Sequence, residues 1–168
     1  MGCGWAIVWP HPLAWSDAES ADLIVYVRFG MMGRVYRRGV TMNANIAKRN
    51  ELLAQKVIKG LKSRNMQGYY AKDKEEALSI ALELIDEGSS VTMGGGESVH
   101  EIGLPDVLKK GNYNFIDRDA YEDKRAAMLA AYDADVFLAS ANAITEDGVM
   151  INIDGNSNRV SAIAQGPK

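Results

Sequence analysis

A chain of 168 residues with a formal charge of -3 and a pI near 5.4 is long enough for one domain that buries roughly 70% of its unfolded surface. No basic stripe is present to neutralise phosphates, which argues against nucleic acid or an anionic membrane as partner. The lone Cys3 excludes an internal disulfide framework, a cysteine-ligated zinc site and an iron–sulfur cluster of its own, and no apolar run reaches the ~20 residues of a membrane span, so a reducing cytoplasm is the expected home.

Residues 1–41 differ from the rest. They hold all three tryptophans, two of the four prolines and no lysine, whereas ten lysines and regular apolar periodicity follow from Met42 onward. One strand is predicted there, over residues 21–29; the WPHPLAW and FGMMG segments fit no packed layer. The piece reads as an accessory segment, a disordered arm, or the product of a start codon chosen upstream of the true one. The last reading has its own clue, since residues 37–42 reverse-translate into a purine-rich run closely followed by ATG, as at a bacterial ribosome-binding site.

In the body, Ile46, Leu53, Val57 and Leu61, flanked by Ala54 and Ile58, recur at helical spacing and predict a helix over residues 43–64. A short strand over 68–71 and a helix over 73–85 follow, the latter with Ala77, Leu78, Ala81, Leu82 and Ile85 on one face and Gly88 beyond its end. Residues 90–93 predict a strand that runs at once into Gly94-Gly95-Gly96 and a helical start. Further strands are predicted over 113–116, 136–139 and 149–153, the first two separated by a helix around 121–132. Such alternation implies an α/β fold, a mostly parallel sheet flanked by helices. Ligands in these folds bind at the carboxyl ends of the strands, which places the loops after Met93, Ala139 and Ile153 on one rim.

Those loops carry the candidate chemistry. Gly94, Gly95 and Gly96 let backbone N–H groups approach an anion at a helix start, while Ser98 with Glu101 fits a capping box; turning and capping alone would also explain them. Glu97 is a candidate base or nucleophile, or simply a solvated loop charge. Asn142, Thr145, Glu146 and Asp147 follow one strand, and Asn152, Asp154, Gly155, Asn156, Asn158 and Arg159 close the next. Their amides and carboxylates suit a small polar molecule, with Arg159 offering a fork to carboxylate or phosphate, although Asn and Asp also serve their own turns, as in Asp147-Gly148 and Asp154-Gly155, dipeptides whose glycines are expected to supply a positive φ at low cost. Asn152 and Asp154, two apart in a strand, should point to the same side. His11 and His100 cannot build a triad or metal cluster, and nothing in the spacing of Asp147 and Asp154 demands Mg²⁺. No cofactor or metal is predicted.

The segments KRNELLAQKVIKGLKSRNMQGYYAKDKEEAL, EIGLPDVLKKGNYNFIDRD and above all SANAITEDGVMINIDGNSNRVSAIAQGPK resemble the lactate-utilization (LUD) domain family, whose members include the C subunit of the bacterial lactate utilization system. The resemblance covers residues 43–168. It implies a fold like that of ribose-5-phosphate isomerase, glucosamine-6-phosphate deaminase and the CoA transferases, and a role in oxidising L-lactate to pyruvate with iron–sulfur partner subunits. It leaves open whether this subunit is itself catalytic. Family members carry Gly-Gly-Ser with a nearby Thr in the glycine loop, at places corresponding here to Gly95, Gly96 and Ser98; Gly96 puts any ligand contact of that serine hydroxyl in doubt. Relatives continue past Gly-Pro-Lys into another strand and helix, so the domain is expected to be truncated at residue 168, with an exposed strand edge or helix face and poor solubility as consequences.

Three functions therefore stand: a component of a lactate-oxidising complex that binds a small anionic ligand, an independent enzyme on a sugar phosphate or CoA thioester with Glu97 or Asp154 as base or nucleophile, or a structural subunit.

Overall fold

The computed structural model describes residues 4–10, 22–29 and 44–165. Cys3, His11 and residues 30–43 and 166–168 lie outside this set, and with them the expectations attached to residues 37–42 and to the closing Gly-Pro-Lys.

The elements run in the order β1 (Gly4–Pro10), β2 (Asp22–Phe29), α1 (Ala44–Lys62), β3 (Met66–Ala71), α2 (Lys74–Leu84), β4 (Ser90–Met93), α3 (Glu97–Glu101), α4 (Leu104–Lys110) and β5 (Asn114–Ile116). After a short 3-10 turn at Arg118–Ala120 come α5 (Lys124–Tyr132), β6 (Val136–Ser140), β7 (Ala143–Ile144), β8 (Met150–Ile151) and α6 (Asn158–Gln165). Six strands form one sheet in the order β3-β1-β2-β6-β4-β5. β2, β6, β4 and β5 are parallel neighbours, and β1 runs against both β2 and β3. The chain is thus α/β with a mostly parallel sheet, as the alternating pattern implied. The front piece, where the sequence predicts one strand, supplies two among its described residues.

Local chemistry sets the elements. The buried stripe of α1 is Asn50, Ala54, Val57 and Leu61, rotated by part of a turn from the predicted face, so that Ile46 is left 45% exposed. Asn65, at φ 58°, turns the chain into β3. Asp73 caps α2 by accepting from Glu76 N at 2.9 Å, and the Glu76 carboxylate accepts from Lys72 N at 2.9 Å in return. Asp135 fixes the register of β6 against β4 from below: its carboxylate accepts from Ser90 N at 2.7 Å and Ser90 Oγ at 2.6 Å.

Strand β6 shows how the sheet is covered. Val136 and Leu138 pack with Val91 and with Ala77, Ala81, Val99, Leu104 and Leu108, so α2, α3 and α4 cover one face. Phe137 and Ala139 point the other way, toward Ala54, Val57, Leu61, Ala131 and Ala162 of α1, α5 and α6.

Three expectations need correction. Residues 149–153 do not add a strand to the parallel sheet; only Met150–Ile151 is a strand, paired antiparallel with Ala143–Ile144 in a separate ribbon. The reason is length, since a parallel neighbour needs a crossover of about a dozen residues or more, and the short link after Ser140 folds back on itself instead. Ser98 is not the cap of the helix after the glycines, because α3 already starts at Glu97 with Gly96 in the cap position and no side-chain cap bond. Finally, Gly148 does take a positive φ of 82°, but Gly155 does not; in that loop Ser157 does, at 56°.

Candidate functional site

The chain leaves β4 through Gly94–Gly96 toward α3 on one face of the sheet and leaves β6 through Ser140 toward α6 on the other. Adjacent parallel strands whose connections depart to opposite faces leave a crevice at their carboxyl ends. Gly94 N donates to Leu138 O at 3.0 Å, which carries the ladder to the mouth of that crevice. A Cβ on Gly94 would sit 3.2 Å from Phe137 Cζ and 3.4 Å from Arg159 Cγ, and one on Gly96 only 2.9 Å from Ser140 Oγ. These two glycines are needed for close approach. Gly95 is exposed, and a Cβ added there would meet nothing within 4 Å.

Arg159, 8% exposed, rises from the first turn of α6 behind Gly94. Its Nη1 donates to Ser140 O at 2.5 Å, and its Nη2 to Ile153 O at 3.1 Å and to the Asn142 side-chain oxygen. Nη2 also lies 3.0 Å from Asp154 Oδ1, in a pair whose side chains are 10% and 11% exposed. The other carboxylate oxygen of Asp154 accepts from Val160 N at 2.7 Å and so holds the start of α6. Asn142 Oδ1 further accepts from Ile153 N at 2.9 Å. The fork expected to face a ligand is therefore turned onto protein acceptors, and Arg159, Asp154 and Asn142 tie the loop after β8 to the end of β6. Among the described residues, Ser140 Oγ, Asn152 Oδ1 and Arg159 Nε are buried without a hydrogen-bond partner.

Beside this knot lies a cleft of about 400 Å³, at the small end of the range for ligand sites. Three predicted residues line it, Gly94, Asn156 and Asn158. Thr92, Arg118 and Phe137 also line it and were missed, as were Met93 and the α5 face with Met128. The signal for Arg118 was present, because it follows β5, a strand whose carboxyl end lies on the same rim. Ser140, the last residue of β6, could have been found the same way.

The other predicted residues go elsewhere. Thr145, Glu146 and Asp147 form the tip of the β7–β8 ribbon, which docks on α1. A Cβ on Gly60 would lie 2.2 Å from Asp147 O, and one on Gly148 2.5 Å from Leu61 N, so helix and turn meet glycine to glycine. Lys56 pairs with Glu146, and Arg64 with Asp147 at 3.2 Å. The Thr145 hydroxyl donates to Asp147 and accepts from Val149 N at 2.9 Å. That hydroxyl, more than the nearby Arg64 and Lys56, holds the Asp147 carboxyl below its ordinary range. Glu97, Gly155 and His100 are exposed, and Ser98 is half-buried. No described helix is long and apolar enough to cross a membrane.

No curated protein and no solved structure matches the chain. The family model of the LUD domain does match, over residues 54–168, a span that contains the glycine loop, the cleft and the Arg159 knot. More than half of the sequence is covered, and the chain belongs to the LUD, or lactate-utilization, domain family.

Proposed function

We propose that this protein takes part in oxidising L-lactate to pyruvate in the cytoplasm, as the subunit that binds a small organic anion beside iron–sulfur partners. Membership of the LUD family supports involvement in lactate utilization. The single cysteine leaves electron transfer through a cluster to other chains. The observation that carries the ligand class is the division of the cleft lining. Met93, Ala127, Met128 and Phe137 make an apolar wall, and Thr92, Arg118, Asn156 and Asn158 supply polar groups. A short acid with a methyl group at one end and a carboxylate at the other suits that division better than a polyhydroxylated sugar phosphate, which needs polar partners along its whole length.

Calorimetric titration with L-lactate, pyruvate, ribose 5-phosphate and acetyl-CoA tests the ligand. Saturable binding of lactate or pyruvate, weakened about tenfold by Arg118→Ala as expected for loss of a charge-assisted bond, is the supporting result. Binding of only the sugar phosphate or the thioester would transfer the protein to the independent-enzyme reading. Purification of the tagged protein from lactate-grown cells should bring down partners with iron–sulfur absorbance.

A further inference from the structure

We infer that the cleft prefers α-hydroxy or α-keto monocarboxylates whose side chain is larger than a methyl group, branched or aromatic, and that Met128 sets this preference. The inference rests on the proposed reading of the cleft as the seat of an organic anion and names the class of acid that fills it.

The first observation is room. If each non-hydrogen atom takes the ~30 Å³ that a water molecule occupies in the liquid, the cleft of about 400 Å³ holds about a dozen of them. Lactate has half that number and would leave the rest to water. α-Hydroxyisocaproate and phenyllactate come much closer to filling it.

The second is the lining. Thr92 and Phe137 are cross-strand partners, and Phe137 points away from α2, α3 and α4, so the two close the floor of the cleft on the α5 side of the sheet. Ala127 and Ala131, four apart on α5, border the cleft with methyl groups alone, where longer side chains would occupy it. Met93 is half-buried and Met128 is 36% exposed. Of the large apolar side chains exposed among the described residues, Met128 is the one that lines the cleft. A ligand side chain laid against it removes that surface from water, and unbranched thioethers repack around branched and aromatic groups alike.

The third is charge. Among the described residues Arg118 is the one charged side chain of the lining, with the amides of Asn156 and Asn158 beside the same cleft. One cation suits one carboxylate better than a dianion. With no acidic side chain among those lining residues, the ammonium group of an amino acid would go unmatched.

The test is calorimetric titration with L-lactate, the L forms of α-hydroxyisocaproate and phenyllactate, and L-phenylalanine as the ammonium counterpart. A buried methylene is worth about fourfold in affinity, so both larger acids should bind at least about tenfold more tightly than lactate, and L-phenylalanine should not bind measurably. Met128→Ala, at an exposed position, should weaken the larger acids about fivefold and lactate clearly less, with an unchanged urea midpoint. Equal affinity for the three hydroxy acids, tight binding of L-phenylalanine, or a loss in Met128→Ala that is absent or the same for all three overturns the inference and leaves the proposed function standing as long as lactate binds. Larger acids that bind where lactate and pyruvate do not have the reverse effect, and failure of every acid to bind removes both.

Discussion

Replacing Asp154 by Ala probes the knot behind the cleft. The carboxylate has two tasks: it neutralises Arg159 at 3.0 Å in a pair with both side chains about nine-tenths buried, and it accepts from Val160 N at 2.7 Å to hold the start of α6. Removing one member of a buried pair costs about 3–5 kcal/mol, because the other charge stays behind uncompensated. The lost cap adds about 1 kcal/mol. Arg159 keeps three neutral acceptors, which places the pair term at its lower end, and the sum is about 4 kcal/mol, a large share of the ~5–15 kcal/mol that holds a domain of this size. Urea unfolding followed by circular dichroism reads this as a lower midpoint with an unchanged slope. Asp154→Asn, which retains an acceptor for Val160 N, should cost clearly less. A loss below about 1 kcal/mol in Asp154→Ala would refute the reasoning, since a charge as enclosed as Arg159 cannot lose its counter-ion at surface cost.

Gly60→Ala sets helix propensity against contact: propensity favours Ala by about 1 kcal/mol, but the new Cβ would lie 2.2 Å from the Asp147 carbonyl oxygen, and forcing atoms into a packed contact costs about 1–3 kcal/mol. Net destabilisation is expected in urea, with Thr145 and Asp147 amide resonances displaced. The Asp135 carboxyl is held below its ordinary value by the hydroxyl and then the backbone N–H of Ser90; its contribution is present above the unfolded-state value of about 3.9 and lost as pH falls through the lowered folded value. Asp135→Asn should therefore shift the urea midpoint at neutral pH and converge with the parent protein in acid; a constant gap would contradict the assignment. Removing residues 1–41 takes away β1 and β2, leaving β6 with an open edge and β3 without its neighbour, so light scattering should report association. A shortened chain that stays monodisperse would favour the start-site reading of the front piece.

Much of the body was legible because its elements are amphipathic and short-range. The strand at Ser90–Met93 is predicted to the residue, and α1, α2, α5, β5 and β6 to within a few. The strand at Gly4–Pro10 was not, since its Trp- and Pro-rich sequence shows no alternation and its place comes from pairing with β2 and β3. The site divided similarly. Composition marked Asn142, Asp154, Asn158 and Arg159, and those residues do gather near Gly94. It could not show that Arg159 folds inward, because a buried arginine needs its acceptors assembled from two separate segments, residues 140–142 and 153–154. Nor could it separate the ribbon tip from the cleft: Thr145 and Asp147 have the same polar character as Asn158, and only the packing of Gly148 on Gly60 sends them to α1.

The pairing of β2 with β6 joins Asp22 to Val136, roughly a hundred residues along the chain. The middle of the sheet therefore closes only after the chain has been made as far as β6, and closure of so long a loop slows folding. During synthesis the early strands emerge with one backbone edge open long before their partner arrives, an interval in which chaperone protection would matter more than final stability.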